Sequence, residues 1–241
     1  MEKKHIPPNG GTRFSSVSFF CPAYKEPRNL RELIPQVHEF LSGITSLFEI
    51  LIIEDGSPDE TPKIADALAR EFTGVRVIHH SENLGYGIAL RDGFLHSRYD
   101  YVMYVDSDNQ YKIEDLKVAI PLLESADVVS CYVRKKALSP ERKLQSWVFN
   151  TLVRVLFAIP LKDVNCSMKI YKRKVLDAIT IKSTSAFIDA EMLIRARRAG
   201  FKIAQFPITH YARTSGLATG SKPSVIISTF LDMLKFRFGI L

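Results

Sequence analysis

The sequence predicts an α/β fold built on a doubly wound, mostly parallel sheet with helices on both faces. Short apolar runs alternate with segments whose apolar residues recur every three or four positions. The runs are apolar almost throughout, as strands covered on both faces must be. Polar clusters follow the first, second and fourth runs, placing them all on the carboxyl edge of such a sheet, where doubly wound folds bind ligands.

The first expected strand is 17–21, followed by Pro22-Ala-Tyr-Lys-Glu-Pro27 and a helix carrying Leu30, Leu33, Ile34, Val37, Phe40 and Leu41 on one face. The second, 48–53, ends in Glu54-Asp55-Gly56-Ser57 and gives way to a helix from about Thr61, with Ile64, Ala65, Leu68 and Phe72 turned inward. A third strand at 75–78 precedes Asn83-Leu-Gly85-Tyr-Gly87 and a helix through Ala89, Leu90 and Phe94. The fourth, 101–105, runs into Asp106-Ser-Asp108-Asn-Gln110. In the second half a strand at 128–134 and a helix holding Met192, Leu193 and Ile194 are expected.

The segment after the fourth strand is the most informative. Side chains two apart on an extended chain share a side, so Asp106, Asp108 and Gln110 can offer three oxygen donors to one small volume. Oxygen donors of this kind suit Mg²⁺ or Mn²⁺, and a site with only two carboxylates usually completes its shell with substrate phosphates. The expected ligand is a nucleotide diphosphate. Asp-x-Asp alone is also compatible with a solvated turn, and the weight comes from its convergence with the other rim clusters.

With 241 residues, 46% of them hydrophobic, the chain can bury one large core without a second domain. Residues 1–15 read as a flexible tail lacking the apolar core of a signal peptide. Cys21, Cys131 and Cys166 show no metal-ligand spacing, and the expectation is reduced thiols in a cytoplasmic setting rather than a disulfide framework. The net charge of +7 is uneven: residues 1–110 carry 11 Lys/Arg against 16 Asp/Glu, and residues 111–241 carry 22 against 10. The second half therefore faces something anionic. Basic residues without interleaved aromatic platforms argue against nucleic acid as the partner.

In their order and content, Pro22-Ala-Tyr-Lys-Glu26, Glu54-Asp-Gly-Ser-Pro-Asp-Glu-Thr61, Asn83-Leu-Gly-Tyr-Gly87, Asp106-Ser-Asp-Asn-Gln110 and Asp163-Val-Asn-Cys-Ser-Met-Lys169 resemble the family 2 glycosyltransferases of GT-A fold, and among them the polyprenyl-phosphate mannose or glucose synthases. The resemblance covers about residues 16–222, leaving 223–241 as an amphipathic C-terminal helix. It implies that Pro22, Ala23, Tyr24, Glu26, Ile53 and Asp55 hold the base and ribose of a nucleotide-sugar donor. Tyr24 also suits a core-edge aromatic, and Glu26 a first-turn helix residue. Asn83 and Gly85 would form a turn that the donor approaches closely, Asp106, Ser107 and Asp108 would face its diphosphate, and Arg91 suits either the site or a surface ion pair.

On the acceptor side, Arg134 takes the place of a phosphate-binding arginine, although Cys131 and Tyr132 replace the turn that usually precedes it. Asp189 is the candidate acidic residue facing the acceptor, with helix capping as the other reading. Arg213 and Lys222 match a basic closing loop on the diphosphate, with wider spacing than usual. The implied reaction is one in-line displacement with inversion, in which the cation and the arginines stabilise the leaving diphosphate. A phosphate acceptor needs no base, whereas a hydroxyl would need Asp189.

No run reaches the roughly 20 apolar residues that span a bilayer. Residues 146–161 and 224–241 instead have broad apolar faces with basic flanks, suited to the cytoplasmic face of a membrane or to core and dimer packing. A separate anchor subunit or a homo-oligomer stays open. A soluble-glycan or protein acceptor, or a non-catalytic nucleotide-sugar subunit, would share the donor half.

Overall fold

In a computed structural model, residues 14–135, 139–213, 215 and 222–241 are described. Most of the expected tail (1–13) and residues 216–221 of the closing loop lie outside them. The elements run β1 (Val17–Ala23), α1 (Pro27–Ile44), β2 (Phe48–Glu54), α2 (Thr61–Glu71), β3 (Val75–His79), α3 (Tyr86–His96) and β4 (Tyr101–Tyr104). They continue through α4 (Leu116–Ala119), β5 (Val128–Lys135), α5 (Pro140–Phe157), β6 (Lys169–Lys172), α6 (Arg173–Ala178), α7 (Ile188–Arg198), β7 (Ile203–Thr209) and α8 (Pro223–Arg237). A proline opens α1, α2, α5 and α8, where its fixed φ suits the first turn and its missing N–H costs no bond.

Among the described residues seven strands form one sheet in the order β3-β2-β1-β4-β6-β5-β7, with β6 antiparallel to both neighbours and the other pairings parallel. Successive residues of each central strand feed opposite cores. Phe19, Cys21, Ile50 and Ile52 pack under α1 and α2, whereas Phe20, Leu51, Ile53 and Tyr104 pack under α3, α7 and the inner faces of α5 and α8. The chain winds outward from β1 through β2 to β3, then returns to lay β4 on the other side of β1. This reversal opens a crevice beyond the carboxyl ends of β1 and β4.

Two strands were not expected. β6 is only four residues long and begins with a lysine, and β7 contains Pro207, tolerated because β7 is the sheet edge. Their pairing corrects the cysteine expectation: Cys131 and Cys166 form a disulfide. The Cys131 amide donates to the Met168 carbonyl, so the start of β6 carries Cys166 alongside β5. A separation of 35 residues hides that contact from the sequence. Cys21 is a free, buried thiol that burial pushes up to about 12.

Candidate active site

Hydrogen bonds between loops build the rim. The Ser107 hydroxyl donates to the Pro22 carbonyl at 2.7 Å, stitching the loop after β4 to the end of β1 across the crevice. The Lys25 and Glu26 amides donate to the Ser57 and Thr61 hydroxyls, locking the loop after β1 to the one after β2. Gly56 has φ +61°, and a Cβ there would stand 2.2 Å from the Glu82 carbonyl carbon, so only glycine lets the loop after β2 touch the loop after β3.

Asp55 is almost wholly buried and organises the loop before α3. Its Oδ1 accepts from the Leu84 amide at 2.9 Å and lies 2.7 Å from His80 Nδ1, while Oδ2 accepts from the Gly85 amide at 2.9 Å. His80 Nε2 stands 3.1 Å from Asp92. Asp55 therefore shapes the glycine turn, and Gly85 adopts φ +94° as N-cap of α3. Asn83 is exposed at the rim. Tyr24 is half-buried beside Lys25. The Ile53 and Ala23 side chains are buried in the two cores, leaving only their backbone near the crevice. Arg91 Nε is 3.9 Å from the Asp92 carboxylate.

Asp106 lies at the centre. Its Oδ1 is shielded from solvent and has no hydrogen-bond partner. Burial, aided by the negative charges of Asp108 and Asp189, pushes its carboxyl up to about 8, against hydrogen bonds from Ser167 and Tyr86. Asp108 Oδ1 accepts from the Gln110 amide at 3.2 Å, and its Oδ2 accepts from Arg213 Nη2 at 2.7 Å. Arg213 Nη1 donates to Glu26 at 2.8 Å, so one guanidinium clamps carboxylates from two loops. Burial raises the Glu26 carboxyl, opposed by Arg213 and Asn29. Gln110 ties the same segments together, its side-chain amide donating to the Tyr211 carbonyl at 2.9 Å.

These residues fit a divalent cation. An unpartnered buried carboxylate oxygen, a second carboxylate two residues on and a surplus of negative charge form a hard-oxygen site that a cation would neutralise. Among the described residues no group of three or more Asp, Glu, His or Cys is placed to hold a metal ion by itself.

Behind Asp106 sits a buried network that sequence reasoning did not reveal. Wholly buried Lys169 donates to Asp189 Oδ1 at 2.5 Å, the Tyr104 hydroxyl at 2.7 Å and the Cys166 carbonyl at 2.6 Å. The Tyr104 hydroxyl also donates to Asp189 Oδ1, and Tyr86 donates to Oδ2 at 3.1 Å. Asp189 lies in the first turn of α7, but its side chain makes no capping bond and turns to this lysine and these tyrosines. Two signals were present: Tyr104 precedes Asp106 by two and shares its side, and Lys169 interrupts the apolar Met168-Lys-Ile-Tyr171.

Arg134 is exposed at the end of β5, on the same sheet edge but beyond β6, near Tyr132, whose ring also lies 4.2 Å from Lys162 Nζ. Lys222 is exposed at the N-cap of α8. One bonded cluster thus joins Glu26, Arg213, Asp108 and Gln110, with the Ser107–Pro22 bond and Asp106 beside it and Arg134 and Lys222 outside it.

The family model for glycosyl transferase family 2 matches residues 18–180. Glycosyltransferase AglD of Haloferax volcanii is 33% identical over 202 residues, 80% of this chain and 32% of that protein. Dolichyl-phosphate beta-glucosyltransferase ALG5A of Trichomonas vaginalis is 27% identical over 80% of this chain and 64% of its own length. Polyprenol monophosphomannose synthase of Mycolicibacterium smegmatis is 26% identical over 85% and 80%. The chain thus spans about a third of the first of these relatives and under two thirds of the second. Glucosyl-3-phosphoglycerate synthase from Mycobacterium tuberculosis, solved with Mn²⁺, UDP and glucosyl-3-phosphoglycerate, shares the fold at TM-score 0.73 and 20% identity, over 93% of this chain and 80% of that one.

Proposed function

Since the chain belongs to glycosyl transferase family 2, we propose that it moves a hexose, with inversion, from a nucleotide-diphosphate sugar of the GDP-mannose or UDP-glucose type to a polyprenyl phosphate. The carrying observation is the carboxylate pair Asp106 and Asp108 at the mouth of the β1/β4 crevice, with one buried oxygen unpartnered and Arg213 across from it. Relatives named for transfer to dolichyl phosphate and for polyprenol monophosphomannose synthesis support this acceptor class.

Asp106 and Asp108, with Gln110 beside them, would hold Mg²⁺ or Mn²⁺, which supplies Lewis-acid stabilisation of a leaving diphosphate. Arg213 adds a bidentate cation at the same place, exchanging a carboxylate for phosphate oxygens. Ser107 and Pro22 keep the two sides of the crevice in register. Asp55 and Gly85 shape the turn against which the nucleoside rests. Arg134 and Lys222 extend the positive rim towards the acceptor. Three buried donors, from Tyr86, Tyr104 and Lys169, already face the Asp189 carboxylate. A phosphate nucleophile, anionic at neutral pH, suits that geometry.

Among the described residues no helix is long and apolar enough to cross a membrane. α5 exposes Leu144, Trp147 and Val155, and α8 exposes Ile227, Phe230 and Leu231, with Arg154, Lys235 and Arg237 nearby. These faces would rest in the headgroup layer that presents the lipid phosphate. The test is donor consumption across UDP- and GDP-sugars with and without Mn²⁺. Metal-dependent turnover of one donor that Asp108→Ala abolishes is the expected result; turnover insensitive to metal and to Asp108 contradicts the site.

A further inference from the structure

Besides the Asp-x-Asp pair and Glu26, which shares Arg213 with Asp108, a further carboxylate, Asp189, lies behind the crevice. The Tyr86 hydroxyl donates to Asp189 Oδ2 at 3.1 Å and stands close to Asp106, so Asp189 lies behind Asp106 with this phenol beside both. Two carboxylates neutralise a divalent ion and leave its remaining positions to phosphate oxygens and water, whereas a third would hold the ion without a substrate. Lys169 decides between these cases. Its ammonium is wholly buried and touches Asp189 at 2.5 Å, and its other bonds go to Tyr104 and the Cys166 carbonyl. It is placed to cancel one charge of the group and no other.

We propose that Lys169 is a positioning residue that holds Asp189 out of the cation site and cancels its charge, so that metal binds tightly only together with a nucleotide diphosphate. The proposal rests on Asp106 and Asp108 as the cation ligands. It also assigns the two tyrosines: Tyr104 fixes the lysine against Asp189, and Tyr86 spaces Asp189 from Asp106. Metal loading is thereby ordered, with the donor bringing the ligands that the protein withholds.

Electron paramagnetic resonance of free Mn²⁺ at pH 8.5, with and without UDP or GDP, tests this independently of turnover. The wild type should bind Mn²⁺ weakly alone and more tightly with the matching nucleotide. Lys169→Met, which frees the Asp189 charge, should bind Mn²⁺ alone about tenfold more tightly and lose most of the nucleotide dependence. Asp189→Asn, which leaves the lysine uncompensated, should bind about tenfold more weakly. The double variant restores charge balance and should return to the wild-type value. It buries no lone charge, so it and whichever single variant folds suffice if the other does not. Unchanged Mn²⁺ affinity in the single variants overturns the role of Lys169. A double variant as weak as Asp189→Asn also overturns it and makes Asp189 a ligand. A wild type that binds no Mn²⁺ with either nucleotide overturns the cation site itself, and this proposal with it.

Discussion

The two halves of the molecule meet at the same sheet edge but are built in opposite ways. Around the ends of β1 to β4 the rim is acidic and braced: Ser107 to Pro22, Lys25 to Ser57, Glu26 to Thr61, and Asp55 to the Leu84 and Gly85 amides. Beyond β6 the rim is basic and open, with Arg134 and Lys222 exposed and the apolar residues of α5 and α8 facing outward. A small, charged donor needs fixed donors and acceptors, and a braced rim supplies them. A lipid acceptor is presented by a fluid surface, which an open, basic and apolar face can meet.

The comparison breaks first at Asp108. Asp108→Ala should lower transfer about 10²–10³-fold or more while leaving thermal stability near wild type, measured as initial rate and melting temperature. Arg213→Ala removes the clamp between Glu26 and Asp108 and should cost about 10²-fold in rate, with Arg213→Lys recovering only part because ammonium lacks the bidentate fork. On the braced side, Gly87→Ala should destabilise by about 1–3 kcal/mol in urea melts, because its Cβ would stand 2.4 Å from the Thr184 carbonyl. On the open side, Trp147→Ser with Phe230→Ser should weaken sedimentation with anionic vesicles about three- to tenfold and leave metal-dependent donor hydrolysis unchanged.

The smallest effect is on pH. The Asp106 carboxyl is pushed up to about 8, so near neutrality a cation must displace its proton. Mn²⁺ affinity should therefore rise with pH up to about 8 and level off above it, a dependence that Asp106→Asn removes.

How much of this was legible in the sequence follows the same division. β1 to β4 are mutually parallel and mostly apolar, so local pattern located each strand to within two residues, and the rim clusters followed from the carboxyl-edge rule. Asp108, Glu26 and Arg213 do come together, with Asp106 beside Asp108. Lys169 and Tyr104 escaped because their meaning depends on the β4/β6 pairing, an antiparallel contact across 65 residues that no local pattern announces. Cys131 and Cys166 escaped for the same reason. Ile53 matched a motif, but strand alternation turns its side chain into the core. The basic, apolar faces of α5 and α8 were visible as helical periodicity, since that signal is local.

The most direct test of the central claim is the partition of sugar label between water and the organic phase when purified protein meets its donor, Mn²⁺ and a polyprenyl phosphate. Label in the organic phase from the wild type, lost in Asp108→Ala and in the absence of lipid phosphate, is the predicted result. Metal-dependent release of free sugar with no label in the organic phase would contradict the lipid acceptor and leave the open half of the molecule facing something else.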